Sequence, residues 1–157
     1  MAGPSSSLES DGYEQIKVFQ DRIADKVRNG ISPLQERRQF IRYLDRLSSS
    51  RRFTPAERRR FRLEAVDTYS RLGEHRRAAW EYARIANEDT NDWVALQGLA
   101  REYELAGEEK QALGIYLFME GRLKDSVVNN VYRPIIAPNI TRLKGVARDC
   151  PLKKPDW

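Results

Sequence analysis

Tyr69-Ser70-Arg71-Leu72-Gly73-Glu74-His75-Arg76-Arg77-Ala78-Ala79-Trp80-Glu81-Tyr82 is echoed by Tyr103-Glu104-Leu105-Ala106-Gly107-Glu108-Glu109-Lys110-Gln111-Ala112-Leu113-Gly114-Ile115-Tyr116. Tyr69, Gly73, Glu74, Ala78 and Tyr82 recur as Tyr103, Gly107, Glu108, Ala112 and Tyr116, each pair 34 residues apart, and Leu72 aligns with Ala106. A fixed period of this length implies one supersecondary unit used twice, and at 34 residues that unit is a helix–turn–helix. The chemistry of the recurring positions agrees. Gly73 and Gly107 supply the positive-φ residue that ends a helix. Ala78 and Ala112 let two helices approach closely. Tyr69, Tyr82, Tyr103 and Tyr116 are large wedges, expected in the packing between neighbouring helices.

From about Arg59 to Ser126 the chain resembles the tetratricopeptide repeat family. The first repeat runs Arg59–Asp92 and the second Trp93–Ser126. The family's helix A signature falls on Leu96, Leu99, Ala100 and Tyr103 of the second repeat, and its helix B signature on Ala112, Tyr116 and Met119. In the first repeat the equivalents are Arg62, Ala65, Val66, Tyr69, Ala78, Tyr82 and Ile85. Arg62 stands where a large apolar residue is usual, and Thr90 and Lys124 replace the closing proline. The resemblance implies an all-α, right-handed helical solenoid that acts as a scaffold. It also implies a concave groove lined by Arg60, Leu63, Glu64, Asp67 and Arg71, then by Val94, Gln97, Gly98, Arg101 and Glu104. Relatives that clamp a peptide carboxylate use an asparagine where Asp67 and Arg101 stand here, so that clamp is not carried over.

Outside the repeats, three start signals precede helical patterns. Asp11-Gly12-Tyr13-Glu14 reads as a capping box, ahead of Ile16, Phe19, Ile23 and Val27, with a stop at Asn29-Gly30. Ser32-Pro33-Leu34-Gln35 places a proline at a first helical position, ahead of Leu34, Phe40, Ile41, Leu44 and Leu47. Thr54-Pro55-Ala56-Glu57 opens a helix of about 18 residues ending at Gly73. The expected layout is a disordered stretch over 1–10, a helical hairpin over 11–50, two repeats over 54–126, a cap over 127–148 and an extended tail over 149–157. Thr90 or Asn91 is expected to cap the first helix of repeat two. Pro134 and Pro138 are expected to break the cap, leaving a short helix over Asn139–Ala147 with Ile140, Leu143 and Val146 on one face.

The 157 residues carry a net charge of +5, spread unevenly. Residues 36–77 hold 13 arginines against 6 acids, whereas 78–125 hold 5 basic groups against 10 acids. Arginine's planar fork suits carboxylate or phosphate, so the belt over 37–77 has three readings: a solvated surface, a surface for an acidic protein, or an RNA site. RNA would require exposed aromatic platforms among the basic residues, for which Phe40, Phe53 and Phe61 are the candidates.

The segment Ala112–Met119 is apolar all round, which predicts burial on more than one side. Either residues 127–146 cover it or a partner docks there. No run of about 18 apolar residues suggests a membrane span. A lone Cys150 and the lack of a secretory pattern at Met1–Ser10 suggest a reducing compartment, most simply the cytoplasm. His75 reads as a turn or surface residue. No nucleophile–base pair, metal-ligand spacing or phosphate loop is present, so no catalysis, cofactor, metal or small-molecule substrate is expected. The expected role is a protein-interaction adaptor or assembly subunit, with RNA binding as the alternative. The residues expected to touch a partner are Arg58, Arg59, Arg60, Arg71, Arg101, Glu104, Leu117, Phe118 and Trp157.

Overall fold

In the computed structural model, residues 5–124 and 126–146 are described, and every regular element among them is an α-helix. The helices are α1 (Ser5–Arg28), α2 (Leu34–Ser49), α3 (Pro55–Arg71), α4 (His75–Glu88), α5 (Trp93–Leu105), α6 (Glu109–Gly121) and α7 (Ser126–Val146). The chain forms two compact units, Met1–Gly73 and Glu74–Trp157. The junction at Gly73 falls inside the first expected repeat.

Local chemistry explains most boundaries. Thr54 and Glu57 close a full capping box at the start of α3: Glu57 N–H donates to Thr54 Oγ1, and Thr54 N–H donates to Glu57 Oε2 at 2.7 Å. The Thr54 N–H first, and then the Thr54 hydroxyl donating to the same Oε2 at 2.7 Å, hold the Glu57 carboxyl below its ordinary range. Gly73 and Gly107 end their segments at φ of 72° and 74°, a conformation costly for any side chain. Asp92, rather than Thr90 or Asn91, caps α5 by accepting from Ala95 N–H at 3.0 Å. Two expectations are corrected. Helix α1 begins at Ser5, not at Asp11; the segment Ser5–Gly12 holds no proline that would stop the helix from extending back. Helix α7 runs unbroken through Pro134 and Pro138. The two prolines are four residues apart and exposed, so each lost backbone bond lies on the solvent side. The opposite side buries Ile136, Ile140 and Leu143.

In the first unit α1 packs on α2 and α2 on α3. Its core is aromatic: Phe19 stacks on Phe40 with centroids 5.3 Å apart, and Phe53 meets Phe61 edge-on at 4.9 Å. Ile16, Ile41, Leu44, Ala65 and Val66 complete it. In the second unit consecutive helices from α4 to α7 pack in turn. The recurring Ala78 and Ala112 are both fully buried, as are Leu96, Leu99, Ile115 and Met119. Gly98 admits the Tyr82 ring so closely that a Cβ would lie 2.6 Å from its Cε1 and Cε2 atoms. No helix among the described residues is long and apolar enough to cross a membrane.

Candidate functional site

In the first unit, α1, α2 and α3 border an open cleft of about 370 Å³. Ile23, Ala24 and Val27 of α1 and Phe40 of α2 give it an apolar floor; Gln20, Glu64, Asp67, Arg37 and Arg71 form its rim. Helix spacing makes this possible. Glu64, Asp67, Thr68 and Arg71 lie three or four residues apart, on one side of α3. Of the five α3 residues expected in a groove, Glu64, Asp67 and Arg71 line the cleft. Leu63 is half-buried elsewhere, and the Arg60 guanidinium sits 5.7 Å from the centre of the Tyr13 ring.

Most rim charges are already engaged. Arg71 Nε donates to Asp67 Oδ2 at 2.7 Å, and that bond raises the arginine's pKa further above its ordinary value. Gln20 Nε2 donates to Glu64 Oε2 at 3.2 Å. Arg37 differs. Its Nη1 makes one long bond of 3.5 Å to the Arg71 carbonyl, and its Nε is buried without a partner among the described residues. The rim guanidinium that makes only this long bond therefore borders the apolar floor. Arg37 belongs to the arginine belt, but nothing in the sequence distinguishes it from its neighbours. That distinction needs the fold of α2 against the end of α3.

The other expected contact residues are dispersed. Arg58 and Arg59 are half-buried. In the second unit, Arg101 is exposed on α5, whereas Glu104 accepts from Tyr116 Oη at 3.2 Å and from Arg142 of α7. Gly98, expected in the groove, is instead occupied by Tyr82. Leu117 and Phe118 are half-buried, with the Arg122 guanidinium 5.2 Å from the centre of the Phe118 ring. Helix α7 covers part of the apolar α6, and Trp93 of α5 meets Tyr132 of α7 at 5.2 Å. Trp157 lies outside the described residues. His75 is not a simple surface residue: its Nδ1 lies 2.8 Å from Glu102 Oε2, tying the start of α4 to α5. Phe40, Phe53 and Phe61 are all buried, which removes them as stacking platforms.

No protein-family model matches the chain, and neither the curated proteins nor the solved structures yield a significant match.

Proposed function

We propose that this chain is a non-catalytic adaptor of the tetratricopeptide type that docks a segment of a partner protein in the α1–α3 cleft. The carrying observation is the cleft itself: an apolar floor of Ile23, Ala24, Val27 and Phe40 beside an Arg37 whose hydrogen-bonding capacity is largely unspent. An apolar side chain with a nearby acid is the group that such a site accommodates. The repeat reading draws support from the matched angles at Gly73 and Gly107 and the equal burial of Ala78 and Ala112. The RNA alternative, which rests on the arginine belt, loses its expected stacking platforms with the burial of the three phenylalanines.

The test is affinity purification with mass spectrometry, comparing the wild type with Ala24→Trp. Ala24 is exposed, so the new indole enters the cleft from α1 without replacing a core side chain. Loss of specific partners at an unchanged melting temperature is the expected result. An identical partner set from both proteins rules out the cleft.

A further inference from the structure

The outward face of α2 carries charge of one sign. Arg38, Arg42 and Arg46 follow at four-residue spacing and are all exposed, and Arg51 and Arg52, just beyond the helix, are exposed too. Four residues of helix rise about 6 Å, so the three helical arginines span about 12 Å. The remaining exposed positions of α2 are Leu34, Gln35, Gln39 and Ser49, none of them acidic. The nearby carboxylates are less exposed than the arginines. Glu36 pairs with Lys26 at 2.5 Å, Glu57 closes the cap on Thr54, and Asp45 is half-buried.

A solvated arginine surface ordinarily carries its own counter-charges, and elsewhere this chain does so. Arg28 pairs with Asp25 at 3.1 Å, Arg71 with Asp67 at 2.7 Å and Arg77 with Glu74 at 3.1 Å, and Arg142 pairs with Glu104. Arg42, Arg46, Arg51 and Arg52 have no carboxylate partner among the described residues; Arg46 only overlies the half-buried Tyr43 ring at 5.8 Å. Four unneutralised guanidiniums on and just beyond one helix repel one another, and an external anion relieves that repulsion.

We infer that the α2 part of this strip binds an acidic polypeptide segment of a partner, laid along the helix, with Arg51 and Arg52 adding to the field that draws it in. The inference rests on the adaptor reading but uses a different face of α2 from the cleft. Carboxylates match the arginine fork in two-pronged pairs. A nucleic acid strand is the weaker fit, because Phe40 and Phe53 are buried and the half-buried Tyr43 ring is already packed on Phe19 and covered by the Arg46 guanidinium.

The test uses the full chain and fluorescence anisotropy with three labelled probes: a Glu-rich peptide, a Lys-rich peptide of equal length and a single-stranded RNA. The wild type is expected to prefer the Glu-rich peptide, with affinity falling as salt rises. Arg42→Glu combined with Arg46→Glu should weaken that binding by about tenfold or more. Ala24→Trp should leave it unchanged. Should the reversed variant lose its helical circular dichroism, Arg42→Gln with Arg46→Gln provides the same comparison with a smaller effect. The inference is overturned by tighter binding of RNA than of peptide at equal salt, by no peptide binding even at low salt, or by an affinity that neither double variant changes. Failure of the cleft is read separately, from the partners that Ala24→Trp retains.

Discussion

Gly98 sets how closely α4 and α5 can approach, because the Tyr82 ring occupies the space a side chain would need. Gly98→Ala should therefore destabilise the fold by roughly 1–3 kcal/mol through overpacking. Gly145 of α7 has nothing within 4 Å of its would-be Cβ, so Gly145→Ala should be neutral or stabilising, by up to about 1 kcal/mol. Urea unfolding of the two variants checks both values. The contrast shows what a sequence discloses at this scale. Gly73 and Gly107 were legible because their backbone role recurs at a fixed period, whereas the role of Gly98 depends on a ring 16 positions earlier. Tyr116 makes a second residue-scale prediction. Burial first, then the neighbouring Glu104 carboxylate, pushes its phenol up to about 12. The folded chain thus keeps a proton that the unfolded chain releases near pH 10. The associated stability is fully present below about pH 10 and is lost as pH rises through about 12. Tyr116→Phe removes the titrating group, so its stability should fall less steeply than the wild type's between about pH 10 and 12. Parallel slopes for the two proteins would show that Tyr116 does not hold its proton.

Helix α7 shows the limit of reading elements from breakers. Two prolines argue for interruption when counted as single residues. The apolar spacing of Ile136, Ile140 and Leu143 nevertheless continues across Pro138, and that buried side holds the helix together. Side chains also contribute within the turn: Asn139 Nδ2 donates to the Ile135 carbonyl at 2.9 Å, and Thr141 Oγ1 donates to the Ala137 carbonyl at 3.1 Å. Pro138→Ala restores one backbone donor at an exposed helical position, and the change should stabilise the protein by roughly 1–2 kcal/mol after the larger unfolded-state entropy of alanine is deducted. Leu143→Ala on the buried side should instead cost roughly 2–5 kcal/mol. Thermal melts followed by circular dichroism distinguish the two. If Pro138→Ala destabilises the protein, the proline is serving the packing and not merely being tolerated. Capping signals were uneven guides: the Asp11–Glu14 pattern lies inside α1 and starts no helix. Thr54 and Glu57 marked the start of α3 because both halves of that motif are local bonds, independent of tertiary context.

At the scale of the molecule, the charge asymmetry was plain in the sequence, but its division into paired and unpaired groups was not. Arg62 is buried, Arg71 is bonded to Asp67, and Arg42, Arg46, Arg51 and Arg52 face solvent without a carboxylate partner among the described residues. Periodicity assigns arginines to faces; only the packed helices show which faces are already neutralised. The first unit, Met1–Gly73, carries a net charge of +5, and the second carries none. A field of that kind acts on encounter before any contact forms, so complementary charge changes on-rates more than off-rates. For the wild type and the Glu-rich peptide, stopped-flow association should be fast at low salt and slow by about tenfold or more as ionic strength rises past the point where the screening length falls to about 10 Å. Arg51 and Arg52 lie beyond the end of α2, where they extend the field but make no described side-chain bond. Reversing both to glutamate should lower the on-rate and flatten its salt dependence, with the off-rate nearly unchanged. A faster off-rate at an unaltered on-rate would place these two arginines in the bound interface and not in the field that steers a partner towards it.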